Sequence, residues 1–236
     1  EAIGNRREYV REQLKDGSPV FAASLPGGIL LLGVGSGQSK VFELFDRHAL
    51  AGLGHPADIE KIRQAAIDAA HMEAFTRAPE DVTLRRLVSY GLSPQLKNNF
   101  EQLFTAPILV ELILAELGDE PGKDTLLRLG FDGAFHPASP IAVASPDPAA
   151  ERAAQTWLGQ VMTGVTDPHA VAELFLQAWW CLITGKDMAG ELPPEAERQA
   201  GWREAAKGKT VELGWLSRKT RQAARYEQFS PSVLGL

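Results

Sequence analysis

The stretch GGILLLGVGSGQSKVFELFDRHALAGLG, Gly27 to Gly54, sets the fold class of this chain. Just before it, Val20-Phe21-Ala22-Ala23 reads as a strand, and Pro26-Gly27-Gly28 separates that run from Ile29-Leu30-Leu31-Leu32. Pro-Gly-Gly between two apolar runs is a hairpin signal, because proline presets one turn dihedral and glycine accepts the rest. A Gly/Ser loop follows from Gly33 to Ser39. Lys40-Val41-Phe42-Glu43-Leu44 and His48-Ala49-Leu50-Ala51-Gly52-Leu53 then form a second strand pair, turned at Asp46-Arg47.

Working outward, the chain alternates between helical and extended blocks. Ala2–Leu14 is predicted helical, with Ile3, Val10 and Leu14 on one face and Gly17 as the residue that ends it in a left-handed turn. Pro56–Phe75 carries apolar residues at Ile59, Ile62, Ala66, Ala69, Ala70 and Phe75, close to a 3.6-residue period. Asp81 is the expected N-cap of a second helix running to Leu103, bent or broken at Gly91 and Pro94. Strands are expected at Ile108–Leu117, Thr125–Phe131 and Ile141–Ala144, with a tight turn at Asp132-Gly133. Two helices follow, Ala149–Thr163 and Asp167–Thr184, the second opened by Asp167-Pro168. Glu191–Glu197 reads as a Pro/Glu-rich loop, Val211–Leu216 as a last strand, and Arg218–Tyr226 as a basic helical tail. Helix, β block, two helices, β block, two helices, strand is an α+β order. Two antiparallel sheets covered by helix pairs would make it a four-layer αββα sandwich. We expect one domain over residues 1–236, with the helix at 2–14 and a basic tail at 218–236 as its ends.

Composition narrows the function classes. The chain has 236 residues, 44% hydrophobic and 23% charged, enough for a sizeable core. A net charge of −6 argues against nucleic-acid binding through a broad basic surface. No apolar run reaches the roughly 18–20 residues of a membrane span, and no signal peptide is visible. The single cysteine, Cys181, makes neither an internal disulfide nor a cysteine metal site, which points to a reducing cytoplasm. His48 stands alone in a strand, and His55, His71, His136 and His169 are scattered. None of them has metal-ligand spacing on one helix, so they read as surface or hydrogen-bonded histidines. Trp179-Trp180 reads as packing, in a core or a subunit interface. The Gly33–Gly37 loop lacks the Lys-Ser/Thr of a phosphate-binding loop. We expect no metal and no cofactor.

REYVREQLKDGS (Arg7–Ser18) resembles the segment of proteasome α-type subunits that leads from the first helix into the first strand. Glu8, Tyr9 and Arg11 match the family's Glu-Tyr-Ala-Arg-like run, Val10 replaces its Ala, and Gly17 and Ser18 follow. Gly27–Gly54 is similar to the same family in its hairpin, loop, Lys-hydrophobic strand, Asp-Arg turn and closing glycine. Asp58–Phe75 with Asp81-Val82 and Arg86-Leu87 resembles bacterial-type members. The resemblance covers residues 1–135 well, is weaker over 136–208, and returns at Val211–Arg225. The chain departs from the family at Ser145-Pro146-Asp147-Pro148, where a glycine-rich turn is usual, and beyond Arg225.

The resemblance implies the Ntn-hydrolase αββα sandwich and a non-catalytic α-ring subunit of a self-compartmentalised threonine-type endopeptidase complex. It implies a homo-oligomeric ring stacked on proteasome β-type subunits, with an AAA ATPase or other ring activator, protein substrates and a cytoplasmic setting. It implies neither a nucleic-acid nor a membrane partner. An active member uses an N-terminal Thr whose own amine is the base, tuned by a Lys and an Asp. Here Ser18 starts the corresponding strand, with Pro19 behind it. Lys40 occupies the Lys position, and the Asp position falls near Gly33 or Val34, where no carboxylate stands. In α subunits the Lys position instead faces a pocket that captures the C-terminal carboxylate of an activator. Lys40, Gly54 and Glu8 are the residues this implies here. Taken without the resemblance, they are a solvated lysine, a turn glycine and a helix-surface charge. Two alternatives stay open: a divergent peptidase using Ser18 and Lys40 after processing, and a ring-forming interaction protein without protease activity.

Overall fold

The computed structural model describes residues 1–220 and 224–229. Among the described residues, ten strands form two five-stranded sheets, ordered β10-β9-β2-β1-β8 and β3-β4-β5-β6-β7. The first sheet comprises β1 (Val20–Leu25), β2 (Gly28–Gly35), β8 (Ile141–Ala144), β9 (Thr210–Ser217) and β10 (Tyr226–Phe229). The second comprises β3 (Val41–Phe45), β4 (His48–Gly54), β5 (Val110–Glu116), β6 (Thr125–Gly130) and β7 (Phe135–Pro137). Every strand pair is antiparallel.

Both faces of each sheet are covered, so β2 reads as an unbroken apolar run while its side chains still alternate. Ile29 and Leu31 point between the sheets, against Ala49, Ala51, Leu53, Ile113 and Leu216. Leu30 and Leu32 point outward with Phe21, against Leu158, Phe175, Leu176 and Trp179 of α5 (Pro148–Val161) and α6 (Pro168–Ile183). On the far side, Leu50, Leu112, Leu114 and Leu129 meet Ile59, Ile62 and Ala66 of α2 (Pro56–Thr76) and Leu92 and Leu96 from the segment after it. Helix, sheet, sheet, helix is the four-layer αββα arrangement. Each buried leucine contributes about 1.5–3 kcal/mol through area removed from water.

Local chemistry starts the helices. Pro56 and Pro168 occupy first-turn positions, where a missing N–H costs nothing. Asp167 accepts from the His169 and Ala170 amides at 3.4 and 3.2 Å, and Asp147 accepts from Ala149 at 2.8 Å. α1 (Ala2–Leu14) forms as expected and buries Val10 and Leu14, but Ile3 stays 46% exposed. Gly17 is not left-handed. A Cβ there would stand 2.8 Å from Leu53 Cδ1 and 2.9 Å from the Leu14 carbonyl, so close packing explains the glycine.

Four further expectations need correction. Asp81 does not cap a helix: Pro79–Asp81 is a 3-10 turn. The chain then passes through α3 (Leu84–Arg86), a π-helical turn (Leu87–Leu92) and α4 (Ser93–Glu101). Pro94 cannot donate to the carbonyl four residues earlier, which is where the wide turn lies. The cap comes from β5, whose Glu116 carboxylate accepts the Leu84 N–H at 2.6 Å. Second, β2 extends to Gly35 into the expected loop. Third, the Pro/Glu loop gives way at Glu195 to α7 (Glu195–Ala205), anchored by the fully buried Trp202. Fourth, there is no helix at Arg218 or at Tyr226. Tyr226–Phe229 is β10, paired with β9, and the Ser217 N–H donates to the Arg225 carbonyl at 2.8 Å to close that hairpin. Residues 221–223 and 230–236 of the expected tail lie outside the described residues.

Candidate functional site

At one end of the sandwich, β1 and β9 begin, β2 ends and β3 begins. Lys40 sits at this mouth, directly before β3. Its stem lies across β2: a Cβ on Gly33 would stand 2.9 Å from Lys40 Cβ, and one on Gly35 would stand 3.4 Å from Lys40 Cε. Its Nζ donates to the Ser18 carbonyl at 3.4 Å. Burial pushes the ammonium below the ordinary lysine value, and Glu212 opposes that shift. Lys40 is therefore not the free surface lysine that its sequence context suggests. Among the described residues it forms no ion pair.

Ser18 faces Lys40 through its backbone, while its hydroxyl is engaged elsewhere. The Trp179 indole N–H, from α6, donates to Ser18 Oγ at 2.9 Å. Trp179 is thus a core residue with one polar duty, fixing the approach to β1. A groove of about 530 Å³ adjoins this segment, lined by Gly17, Pro19, Ser145, Asp147 and Lys186 among others, but not by Lys40, Glu8 or Gly54.

Gly54 lies on the strand beside Lys40, and the Gly52 N–H donates to the Lys40 carbonyl at 2.9 Å. Gly54 has φ +132°, and a Cβ there would fall on the Leu109 carbonyl, which accepts the His55 N–H at 2.8 Å. The chain path alone demands glycine at this position. α1 crosses the same end of the sandwich, with Leu14 in the cluster that holds Leu53. Glu8 stands exposed on α1, without an ion pair among the described residues. The structure thus gathers Lys40, Gly54 and the helix bearing Glu8 at one end, with no direct bond among the three.

One carboxylate escaped the sequence reading. Glu212 of β9 is opposite Gly33 in the β2–β9 register and only 4% exposed. Its oxygens accept the Lys40 N–H at 3.1 and 3.0 Å and the Val41 N–H at 3.1 Å. A lone glutamate in an apolar strand was the available signal. The histidines also differ from expectation at one position. His48 is fully buried, with no hydrogen bond on either ring nitrogen among the described residues, its Nε2 lying 3.7 Å from Glu116 Oε2. Among the described residues, no cluster of His, Cys, Asp and Glu is arranged to hold a metal ion, and no helix is long and apolar enough to cross a membrane.

No family model matches the chain. Comparison with curated proteins finds proteasome α subunits repeatedly. The proteasome subunit alpha of Actinosynnema mirum is 32% identical over 135 residues, 56% of this chain and 51% of the relative. That of Nocardioides sp. is 34% identical over 131 residues, 55% of this chain and 51% of the relative. In these two matches the chain spans about half the relative's length. The proteasome subunit alpha of Arthrobacter sp. strain FB24 is 31% identical over 197 residues, 81% of this chain and 79% of the relative. With two stacked antiparallel sheets between helical layers and this coverage of a relative, the chain belongs to the proteasome α subunit family.

Proposed function

We propose that this protein is a non-catalytic α-ring subunit that stacks on proteasome β-type subunits, gates the access of protein substrates and docks a ring activator in the cytoplasm. The observation that carries the docking part is Lys40. Among the described residues its ammonium, at the sandwich mouth, has only a neutral backbone oxygen within bonding distance, which leaves its charge available to an incoming carboxylate. Gly54 and Glu8 border the same end and complete the expected docking surface. Its partners are an AAA ATPase or another ring activator and further copies of the chain.

Two measurements test this. Co-expression with a β-type partner is expected to give stacked rings by electron microscopy and peptide hydrolysis that neither chain shows alone. A peptide with a free C-terminal carboxylate is expected to bind those rings, and its amide to bind at least tenfold more weakly, with Lys40→Met erasing the difference. Equal binding of acid and amide would remove the docking role.

The catalytic reading retains one supporting observation, that Lys40 Nζ faces residue 18. It needs a cut between Gly17 and Ser18 and release of the Ser18 hydroxyl from Trp179. Intact mass of the purified protein decides it, since a chain beginning at Ser18 is what that reading requires.

A further inference from the structure

The family's carboxylate position near Gly33 or Val34 is empty in β2, yet a carboxylate reaches the lysine from the next strand. Gly33 and Glu212 are cross-strand partners, so their side-chain positions share one face of the sheet. The lysine stem fills the space that a side chain at Gly33 would occupy. The glutamate beside it holds both the Lys40 and Val41 amides. That contact ties the first residues of β3, an edge strand of one sheet, to β9 of the other. Three groups face this carboxylate or its neighbour: Lys40 before β3, Tyr226 from β10, and Glu43 of β3 through Tyr226. Burial pushes the Glu212 carboxyl above the ordinary carboxylate range, and the two amides and Lys40 hold it back in part. The Tyr226 hydroxyl is pushed up to about 12, first by burial and then by the charges of Glu212 and Glu43.

We infer that Glu212 is the positioning residue for Lys40: from β9 it fixes the backbone at residues 40 and 41 and supplies the negative charge that β2 lacks. The inference rests on the docking reading only for the use made of the ammonium. The coupling itself is measurable without any activator.

The test is trace acetylation by acetic anhydride across a pH series, with mass-spectrometric quantification of Lys40 against the exposed Lys61 in the same chain. Glu212→Gln is expected to move the midpoint of the Lys40 profile downward by about half a unit, a roughly threefold gain in labelling at neutral pH, with Lys61 unmoved. A rate change with an unshifted midpoint is mere loosening of the loop and overturns the inference, as does an unchanged profile. If Glu212→Gln does not fold, hydrogen exchange on the wild-type chain decides. Protection of the Lys40 and Val41 amides should fall together as pH drops from about 7 to about 4, through the raised Glu212 titration. Protection that stays constant across that range overturns the inference. A shifted midpoint in a protein that ignores peptide carboxylates would sink the docking role and leave the coupling intact. The reverse pair of results would do the opposite.

Discussion

Asp124→Asn removes the charge at the centre of a clamp that joins the two sheets. The Asp124 side chain is fully buried and Arg218 is 12% exposed. Asp124 Oδ1 accepts the Gly118 N–H at 2.8 Å and Arg218 Nη1 at 3.0 Å. Oδ2 accepts Arg218 Nη2 at 2.8 Å and the Ser24 hydroxyl at 2.5 Å. Ser24 belongs to β1 and Asp124 directly precedes β6, so one carboxylate links the last but one strand of each sheet to the segment after β9. In the variant the guanidinium keeps the carbonyls of Leu25, Pro26 and Gly118 but loses its counter-charge. Breaking a buried pair by removing one partner costs about 3–5 kcal/mol. The retained carbonyls and the partial exposure of Arg218 place this case near 3 kcal/mol. In a chain of this size that is a drop in Tm of roughly 6–12 °C. Urea unfolding followed by tryptophan fluorescence gives the free energy. The double variant Asp124→Asn/Arg218→Met should recover part of the loss, with a coupling energy of about 2 kcal/mol. A single-variant loss below about 1 kcal/mol, or additive effects in the cycle, would refute the clamp.

Glu116→Gln should cost about 2 kcal/mol at neutral pH, since the carboxylate receives Arg47 as well as the Leu84 amide. Burial pushes this carboxyl up, but His48, the Leu84 N–H and Arg47 outweigh it and hold it below the ordinary glutamate value. Its contribution is therefore complete above the unfolded value of about 4.3 and lost as pH falls through the folded one, so wild type and variant should converge in acid, as chemical denaturation at several pH values can show. Gly54→Ala should destabilise by about 2 kcal/mol or more by calorimetry, because of its positive φ and the Leu109 carbonyl; an unchanged Tm would return the residue to a purely docking role. Trp179→Phe should cost about 1–2 kcal/mol, from the lost Ser18 hydrogen bond and the smaller ring, and a Ser18→Ala background should remove the hydrogen-bond share.

Periodicity and turn chemistry alone marked eight of the ten strands among the described residues, or their cores, and missed β7 and β10. Ile29–Leu32 after Pro-Gly-Gly, the Ile59/Ile62/Ala66 stripe and the Asp167-Pro168 cap are local signals, carried by residues within a few positions of each other. What local signals could not carry, the tertiary structure decided. The helix at Leu84 takes its cap from Glu116, 32 residues away, so Asp81 was a better local candidate that lost to a carboxylate on β5. α7 is polar around most of its surface and becomes a helix because Trp202 finds a pocket in the helical layer. The basic tail turns back as β10 because Arg218 is tied to Asp124 and β9 offers a free edge. The mouth of the sandwich follows the same rule. Lys40 was legible as a lysine opening a strand, but its burial, its Ser18 contact and its carboxylate were not. Glu212 is 172 residues from Lys40 in the chain, and only the β2–β9 register, which sets Gly33 against Glu212, brings the two together.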